Sequence, residues 1–148
     1  MTKPATILLV EDQRMDIELT LNAFREARLA NSIRVATTGE EALHYLEGEG
    51  EFSDRQSHPL PDLILLDLKM PGIDGFEVLK MIKTTDKLKR IPVIVLTSSK
   101  EEGDRALSYD LGANSYLVKP VSFDGFLHTV KEIGEYWIVL NVKPPLNA

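Results

Sequence analysis

The stretch Leu63-Ile64-Leu65-Leu66-Asp67-Leu68-Lys69-Met70-Pro71-Gly72 places four apolar residues before an aspartate and a Pro-Gly turn. A continuous apolar run of this length is typical of a strand buried on both faces, as in parallel sheets. The turn signal follows directly, so Asp67 is predicted to stand at the carboxyl end of that strand. Ligands and chemistry collect at this edge of open parallel sheets, which makes Asp67 the first candidate functional residue.

Length and composition exclude several classes of site. The chain has 148 residues and no cysteine, which excludes disulfides, thiol catalysis and cysteine-bound metals and favours a cytoplasmic location. Seventeen basic against 23 acidic residues give a net charge of −6, which argues against a nucleic-acid partner. No apolar run approaches a membrane span, and no signal peptide is visible. We expect a single domain over 1–148, with a core at about 5–137.

Apolar runs and amphipathic stretches alternate along the chain. Continuous runs occur at 7–10, 63–66, 93–96 and 116–118, whereas 33–36 alternates apolar and polar residues as an edge strand does. Amphipathic spacing predicts a helix after each strand. Five strands in strict alternation with five helices predict an α/β fold, a doubly wound flavodoxin-like parallel sheet of order 2-1-3-4-5.

Hydroxyl residues mark the expected start of three helices. Thr38 stands three residues before Glu41, and Ser99 stands three before Glu102, which is the spacing of a capping box. Ser122 is placed to cap the last helix in the same way. These signals predict helices that begin directly after residues 38, 99 and 122.

Three segments depart from the regular pattern. Residues 48–61 hold two prolines and many polar residues, and we expect a long exposed loop there. The fourth helix has a thin apolar stripe, mainly Ala106, Leu107 and Leu111, which predicts a weak hold on the core. Apolar residues continue beyond the last helix into an extension, 138–148. A run such as that at 137–142 more often covers the core, but because this one comes after the fold is complete, it is expected to contact a second copy in a homodimer.

Polar residues follow four of the strands at the edge that carries Asp67. Besides Asp67 after the third strand, they are Glu11 and Asp12 after the first, Thr97 after the fourth and Lys119 after the fifth. In the order 2-1-3-4-5 the first and third strands are neighbours, which brings three carboxylates together. Like charges this close need a cation or shifted pKa values, and an all-oxygen ligand set favours Mg²⁺.

This residue set suits phosphoryl transfer. Asp67 would be the nucleophile and would form an aspartyl phosphate. Mg²⁺ and Lys119 would neutralise charge on the phosphoryl oxygens, and Thr97 would donate a hydrogen bond to one of them. Transfer of this kind depends on positioning and charge more than on elaborate side-chain chemistry.

Four motifs, taken as a set, resemble the receiver domain of two-component response regulators, the CheY-like family. They are Val10-Glu11-Asp12, the stretch 66–75 around Asp67, Leu96-Thr97-Ser98 and Leu117-Val118-Lys119-Pro120. The motifs stand in the family's order and spacing over about residues 5–137. The resemblance implies a receiver fold and a signalling domain that catalyses only its own phosphotransfer and slow autodephosphorylation.

The resemblance also implies a metal-binding role for residues at the matching positions. Asp67 would be the phosphoacceptor and, with Asp12, a direct ligand of Mg²⁺. Lys69 would lend its backbone carbonyl to the metal, and Glu11 would act on it through water. No other cofactor is implied.

A switch is implied by the same resemblance. Thr97 would be the switch hydroxyl, and Tyr116 the aromatic residue that turns inward when Thr97 moves towards the phosphoryl group. Lys119 would bind the phosphate, with a cis bond to Pro120. The phosphoryl donor would be a sensor histidine kinase. The face formed by the fourth helix, fifth strand and fifth helix would then signal to a downstream protein or a histidine phosphotransfer protein.

Further sequence segments resemble those of the stand-alone regulators that serve bacterial phytochrome histidine kinases. They are Gly50-Glu51-Phe52 within the long loop at 48–61, the segment 88–93, and the ending Glu135-Tyr136-Trp137. Members of that group tend to dimerise through the last helix, so this resemblance implies a phytochrome kinase and a homodimer. Lys69 departs from the pattern, since many members carry asparagine there.

Two other functions share parts of the pattern. A phosphatase of the haloacid-dehalogenase type also has an aspartyl nucleophile and Mg²⁺, but it requires a second aspartate two residues on, where this chain has Lys69. A flavodoxin-like cofactor binder has the same fold but requires a hydroxyl- and glycine-rich phosphate loop after the first strand. The segment Glu11-Asp12-Gln13-Arg14 stands there instead, and its carboxylates would repel a phosphate.

Overall fold

The computed structural model describes residues 5–27, 31–120 and 122–140, in which strands alternate with α-helices, and a 3₁₀-helix over Gly50–Phe52 lies between the second α-helix and the third strand. After the last helix, the backbone continues as a π-helix over Gly134–Leu140. The elements are β1 (Ala5–Val10), α1 (Arg14–Glu26), β2 (Asn31–Ala36), α2 (Gly39–Glu47), β3 (Leu63–Leu66), α3 (Gly75–Thr84), β4 (Val93–Thr97), α4 (Glu102–Asp110), β5 (Ser115–Val118) and α5 (Phe123–Ile133).

The five strands form one parallel sheet in the order β2-β1-β3-β4-β5, which confirms the predicted α/β fold. Val10 pairs with Leu66, and Leu66 pairs with Val95, so β1, β3 and β4 approach the same edge in register. The strand order reverses between β1 and β3, and this reversal opens a crevice at the carboxyl edge.

Two apolar layers hold the helices to the sheet. Leu8 and Ile64 belong to the layer that faces α2 and α3, and Ile7 and Leu65 belong to the layer that faces α1 and α5. Because successive strand residues point to opposite faces, the central strands are apolar throughout. β5 is only half-buried, so the prediction that it is of the buried type is wrong. Its position at the edge of the sheet leaves it with one neighbouring strand.

Two of the three predicted caps are present. Thr38 and Ser122 each accept a hydrogen bond from the backbone N–H three residues on, at the start of α2 and α5. Ser99 does not cap α4, which begins only at Glu102. Its hydroxyl donates to Asp104 Oδ2 at 2.6 Å, a short bond to a charged acceptor, and accepts from the N–H of Glu101, the residue before the helix, at 3.3 Å.

The apolar stripe expected on α4 is not buried. Ala106 and Leu107 are exposed, Leu111 is half-buried, and Ser108 is the one buried residue of this fully described helix. The Ser108 hydroxyl donates to a backbone carbonyl one turn earlier at 2.8 Å, which satisfies it inside the helix. α4 therefore turns apolar side chains to solvent and buries little of its own surface.

The segment 48–61 is packed against the domain more closely than an exposed loop. Arg55 donates to the backbone carbonyls of Tyr45 and Leu46 at 2.9 and 2.7 Å, and to that of His58 at 3.0 Å. Its guanidinium thereby satisfies carbonyls at the C-terminal end of α2. Phe52 packs against the adjoining apolar layer. The polar composition of the segment gave no indication of the contacts made by Arg55 and Phe52.

Trp137 packs against the apolar layer that faces α1 and α5. The extension 138–148 lies outside the residues whose side chains the structure describes, so the predicted dimer contact of 137–142 stays a prediction. Within the described ranges, no helix combines the length and apolar content needed to cross a membrane.

Candidate functional site

The carboxyl edge of the sheet brings the three predicted acids together. Glu11 and Asp12 follow β1, and Asp67 follows β3. The ladder continues one residue past the strand ends, because Asp67 N donates to the carbonyl of Val10 at 3.0 Å. One carboxylate oxygen from each acid lies within 4.8 Å of the other two. Glu11 and Asp67 are buried and Asp12 is half-buried, so water cannot fully screen their repulsion.

Lys119 supplies the positive charge of this cluster. Its Nζ lies 2.5 Å from Glu11 Oε1, 2.8 Å from Asp16 Oδ2 and 3.1 Å from Asp67 Oδ2, which occupies all three of its N–H donors. Burial alone would lower the pKa of Lys119, but the hydrogen bonds to Asp16 and Glu11 outweigh it and raise the pKa above its ordinary value. The amine is therefore charged at neutral pH.

Asp16 was not among the predicted site residues. In the sequence it belongs to the polar face of an amphipathic helix, where a solvated charge is the usual outcome. In the structure it lies in the first turn of α1, and its side chain is 29% exposed and bonded to Lys119. One signal was available: Asp16 lies near the start of a helix that follows β1 at the carboxyl edge, where ligands and chemistry collect.

The electrostatics of the cluster favour a further cation. Burial raises the pKa of Glu11 to about 7, with a contribution from Asp67, while Lys119 and the N–H of Gln13 act in the opposite direction. Asp12 Oδ1 is buried and has no hydrogen-bond partner in the described structure. A buried, unpartnered carboxylate oxygen beside two more acids matches the oxygen ligands that hard divalent cations prefer. These residues fit such an ion.

Thr97 ends β4, and Tyr116 lies within β5, where it pairs with Val95. Thr97 is fully buried, and its Oγ1 accepts a hydrogen bond from Ser99 N at 3.4 Å. Tyr116 is half-buried against the apolar layer of α2 and α3, and its hydroxyl donates to the carbonyl of Ser99 at 3.0 Å. Both side chains therefore contact the segment that joins β4 to α4. Within the described residues, no hydrogen bond links Thr97 to Asp67.

The side chain of Lys69 is directed to α4. Its Nζ lies 3.3 Å from Asp104 Oδ2, the same oxygen that accepts the bond from Ser99, while its backbone N–H donates to Asp67 Oδ1 at 3.3 Å. The bonds from Ser99 and Lys69 lower the pKa of Asp104. The loop after β3 is thus connected both to the carboxylate of Asp67 and to the first turn of α4.

The bond between Lys119 and Pro120 is trans, as is every other peptide bond in the described ranges, so the expectation of a cis bond is wrong. The trans form is the ordinary state of an X–Pro bond, favoured by about 0.5–1 kcal/mol. The backbone of Lys119 is fixed to β4 by a hydrogen bond from its N–H to the carbonyl of Thr97 at 2.7 Å.

The sequence model of the response regulator receiver domain matches residues 7–131. The chain belongs to this family. Its members serve phosphorylation-dependent signalling, are phosphorylated by sensor histidine kinases and bind divalent metal. Membership confirms the resemblance drawn from the four motifs, and it explains why the acids, the lysine and the threonine occupy one edge of the sheet.

Three relatives show how far the similarity extends. The chain is 42% identical to the "Probable methanogenesis regulatory protein FilR2" of Methanothrix harundinacea, over 95% of this chain and 88% of that protein. It is 38% identical to the response regulator Rcp1 of Synechocystis sp., over 91% and 90%. The crystal structure of the phosphorylated cyanobacterial phytochrome response regulator RcpA superposes with a TM-score of 0.90 at 40% identity, covering 97% of this chain and all of RcpA.

A metal-bound crystal structure of Rcp1 is relevant to the acidic cluster. Its crystal structure with bound Mn²⁺ superposes with a TM-score of 0.86 at 37% identity, covering 96% of this chain and all of that one. A close relative therefore binds a divalent cation. The similarity to Rcp1 and RcpA also confirms the predicted resemblance to regulators associated with phytochromes.

Proposed function

We propose that Asp67 accepts a phosphoryl group from a sensor histidine kinase. The observation that carries the proposal is the buried cluster of Glu11, Asp12 and Asp67 with Lys119 bonded into it. Asp12, Asp67 and the backbone carbonyl of Lys69 would bind Mg²⁺, and Glu11 would act on the metal through water. The unpartnered Oδ1 of Asp12 supports this assignment.

The transfer is a displacement at phosphorus. A carboxylate oxygen of Asp67 forms a P–O bond as the P–N bond of the kinase phosphohistidine breaks, and the released imidazole takes up a proton from water. Mg²⁺, when bound, neutralises charge on the phosphoryl oxygens. Lys119 Nζ lies 3.1 Å from Asp67 Oδ2 and can exchange this contact for a phosphoryl oxygen while it keeps Glu11 and Asp16. Slow attack by water would later regenerate the carboxylate and release phosphate.

Thr97 and Tyr116 would pass the change at Asp67 to the face formed by α4, β5 and α5. Thr97 would donate to a phosphoryl oxygen, and Tyr116 would follow it inward. Their shared contact with Ser99 supports this coupling, since Ser99 also binds Asp104 of α4. We expect Thr97→Ala to accept phosphate but to lose any phosphate-dependent change in partner binding. Normal coupling in this variant would exclude Thr97 as the switch.

The phosphoryl donor would be a bacterial phytochrome histidine kinase, because RcpA is a phytochrome response regulator and matches nearly the whole chain. The output would be a homodimer contact, a downstream protein or a histidine phosphotransfer protein. Exposed apolar residues of the α4-β5-α5 face support a protein contact there: Leu107, Tyr109, Val118 and Phe123 are each at least 38% exposed.

The test is phosphotransfer from an autophosphorylated, radiolabelled phytochrome kinase, followed by light scattering of the product. We expect label on wild type and on Asp110→Asn, whose aspartate is exposed in α4, and none on Asp67→Asn. A rise in molar mass with phosphorylation would place the output in dimerisation. Label on Asp67→Asn would exclude Asp67 as the acceptor, and transfer only from other classes of kinase would exclude the phytochrome partner.

A further inference from the structure

A shallow groove of about 520 Å³ lies between α2 and α3, on the sheet face opposite α1 and α5. Neither the carboxylate cluster nor the α4-β5-α5 face uses it. Its apolar lining consists of Leu43, Ile73 and Met81, and its polar lining consists of Glu40, Glu47, Glu49 and His44. We call this surface the α2–α3 groove.

The carboxylates of the α2–α3 groove are poorly neutralised by the chain itself. Glu40 and Glu49 are exposed, and within the described ranges neither side chain has a hydrogen bond or an ion pair. Glu47 lies 3.9 Å from Lys87, whose side chain is 67% exposed, and such a long solvated pair contributes little. The groove therefore carries negative charge that is available to a partner.

Apolar side chains are exposed between these acids. Met81 is 47% exposed, and Leu43 and Ile73 are half-buried beside it. Methionine is an adaptable contact residue at binding surfaces, and apolar surface bordered by charge is typical of a protein contact. α2 has nine residues, a length of about 14 Å at 1.5 Å per residue, so the groove suits a short helix.

One end of the groove is formed by the loop that follows Asp67. Ile73 of this loop lines the groove, and Gly72 lies so near Glu40 that an added Cβ would be 3.1 Å from Glu40 Oε2. A partner seated in the groove would therefore contact the backbone that continues from the candidate phosphoacceptor. This contact would be separate from the α4-β5-α5 face.

We propose that the α2–α3 groove docks a short amphipathic helix of a protein partner, with an apolar stripe over Met81 and lysines or arginines against Glu40 and Glu49. Charge complementarity selects this occupant, because an acidic helix would meet uncompensated carboxylates on the groove. The proposal does not depend on phosphoryl transfer at Asp67, so it is tested on the unmodified protein.

The probe is a synthetic helix of about 14 residues, long enough for partial helicity in water, with leucines on one face and lysines beside them. It is titrated into isotope-labelled full chain and followed by amide chemical shifts. We expect saturable binding, with shift changes concentrated in α2, α3 and residues 68–74. A matched peptide with glutamates in place of lysines should not bind.

Two charge-reversed variants separate a specific site from general attraction to an acidic protein. Glu40→Lys/Glu49→Lys should weaken binding by at least about tenfold, because each substitution removes an attraction to the lysines of the peptide and adds a repulsion. Glu26→Lys/Glu135→Lys changes the net charge equally at exposed positions on the opposite layer and should leave affinity within about twofold.

A third variant, Met81→Asn, should weaken binding without altering charge, since Met81 is half-exposed and its loss leaves the core intact. The proposal is overturned by equal weakening in both charge-reversed variants, by shift changes centred on α4 and β5, or by no saturable binding. Preserved amide spectra in each free variant establish that its fold is unchanged.

Discussion

Asp16 Oδ2 lies 2.8 Å from Lys119 Nζ and ties the first turn of α1 to the end of β5. With Glu11, this contact keeps the amine in place if a phosphoryl oxygen replaces Asp67 as its third partner. We expect Asp16→Ala to slow phosphorylation by acetyl phosphate about tenfold, the equivalent of about 1.4 kcal/mol in the transition state. Asp16→Glu should restore most of the rate. An unchanged rate in Asp16→Ala would show that Glu11 alone positions Lys119.

The pairing of Lys69 with Asp104 makes a prediction for α4. This helix buries only Ser108, so the bonds of Asp104 to Lys69 and Ser99 contribute much of what holds its first turn. Asp104→Ala should speed amide exchange across 102–110 and cost no more than about 1 kcal/mol of global stability, because the Lys69 side chain is 57% exposed and solvent weakens the pair. Glu102→Ala removes an unpaired acid from the same turn and should leave exchange unchanged. If both variants speed amide exchange equally, the cause would be the loss of a negative charge near the start of the helix dipole and not the loss of the bonds of Asp104.

Gly75 permits the close approach of α3 to the backbone of Asp67 and Leu68. A Cβ at this position would collide with the carbonyl oxygen of Asp67 and lie 2.6 Å from Leu68 Cα. Gly75→Ala should therefore destabilise the fold by about 1–3 kcal/mol, as overpacking does, and slow phosphorylation by displacing Asp67. Gly103→Ala is the control, since nothing lies within 4 Å of its added Cβ. Chemical denaturation of both variants measures the difference, and equal stability would contradict the account.

Lys83 gives a pH prediction away from the acidic cluster. Its ammonium donates to the carbonyl of Ile91 at 2.8 Å, and burial lowers its pKa from 10.5 to about 8. Below pH 8 both the folded and unfolded states are protonated, and the folded state bears the full cost of burying the charge. Between about pH 8 and 10.5 only the unfolded state holds the proton, so stability should rise with pH in this window.

The measurement for Lys83 is urea denaturation from pH 7.5 to 10.5 on wild type, Lys83→Met and Lys80→Met. The exposed Lys80 serves as the control for the general titration of lysines. We expect the rise in wild type and in Lys80→Met, and a flatter profile in Lys83→Met. The same slope in all three proteins would show that the hydrogen bonds to carbonyls offset the burial of Lys83.

Local patterns were sufficient to predict the sheet and most of the cluster. Continuous apolar runs identified the strands buried on both faces, and the acids that end them, Glu11, Asp12 and Asp67, meet because parallel strands share a carboxyl edge. Thr38 and Ser122 were predictable as caps because a cap is a contact within one turn of the chain.

The remaining features depend on contacts distant in the sequence. The polar face of α1 shows that Asp16 is not in the core, but not that Lys119, 103 residues away, lies against it. Only the fold shows that α4 begins too late for Ser99 to cap it and that Asp104 lies within reach of the Ser99 hydroxyl. Arg55 reaches the end of α2 across a loop, which leaves no periodic signal. β5 is partly exposed because it lies at the edge of the sheet and has a neighbouring strand on one side only.

We infer that Asp67 is the phosphoacceptor and that the acidic cluster binds Mg²⁺ for the transfer. The most direct measurement is intact mass after incubation with acetyl phosphate, for wild type and Asp67→Asn, each with Mg²⁺ and with a chelator. We predict a gain of one phosphoryl group on wild type with Mg²⁺ only, and none on Asp67→Asn. A phosphoryl group on Asp67→Asn, or equal modification of wild type in the chelator, would contradict the account.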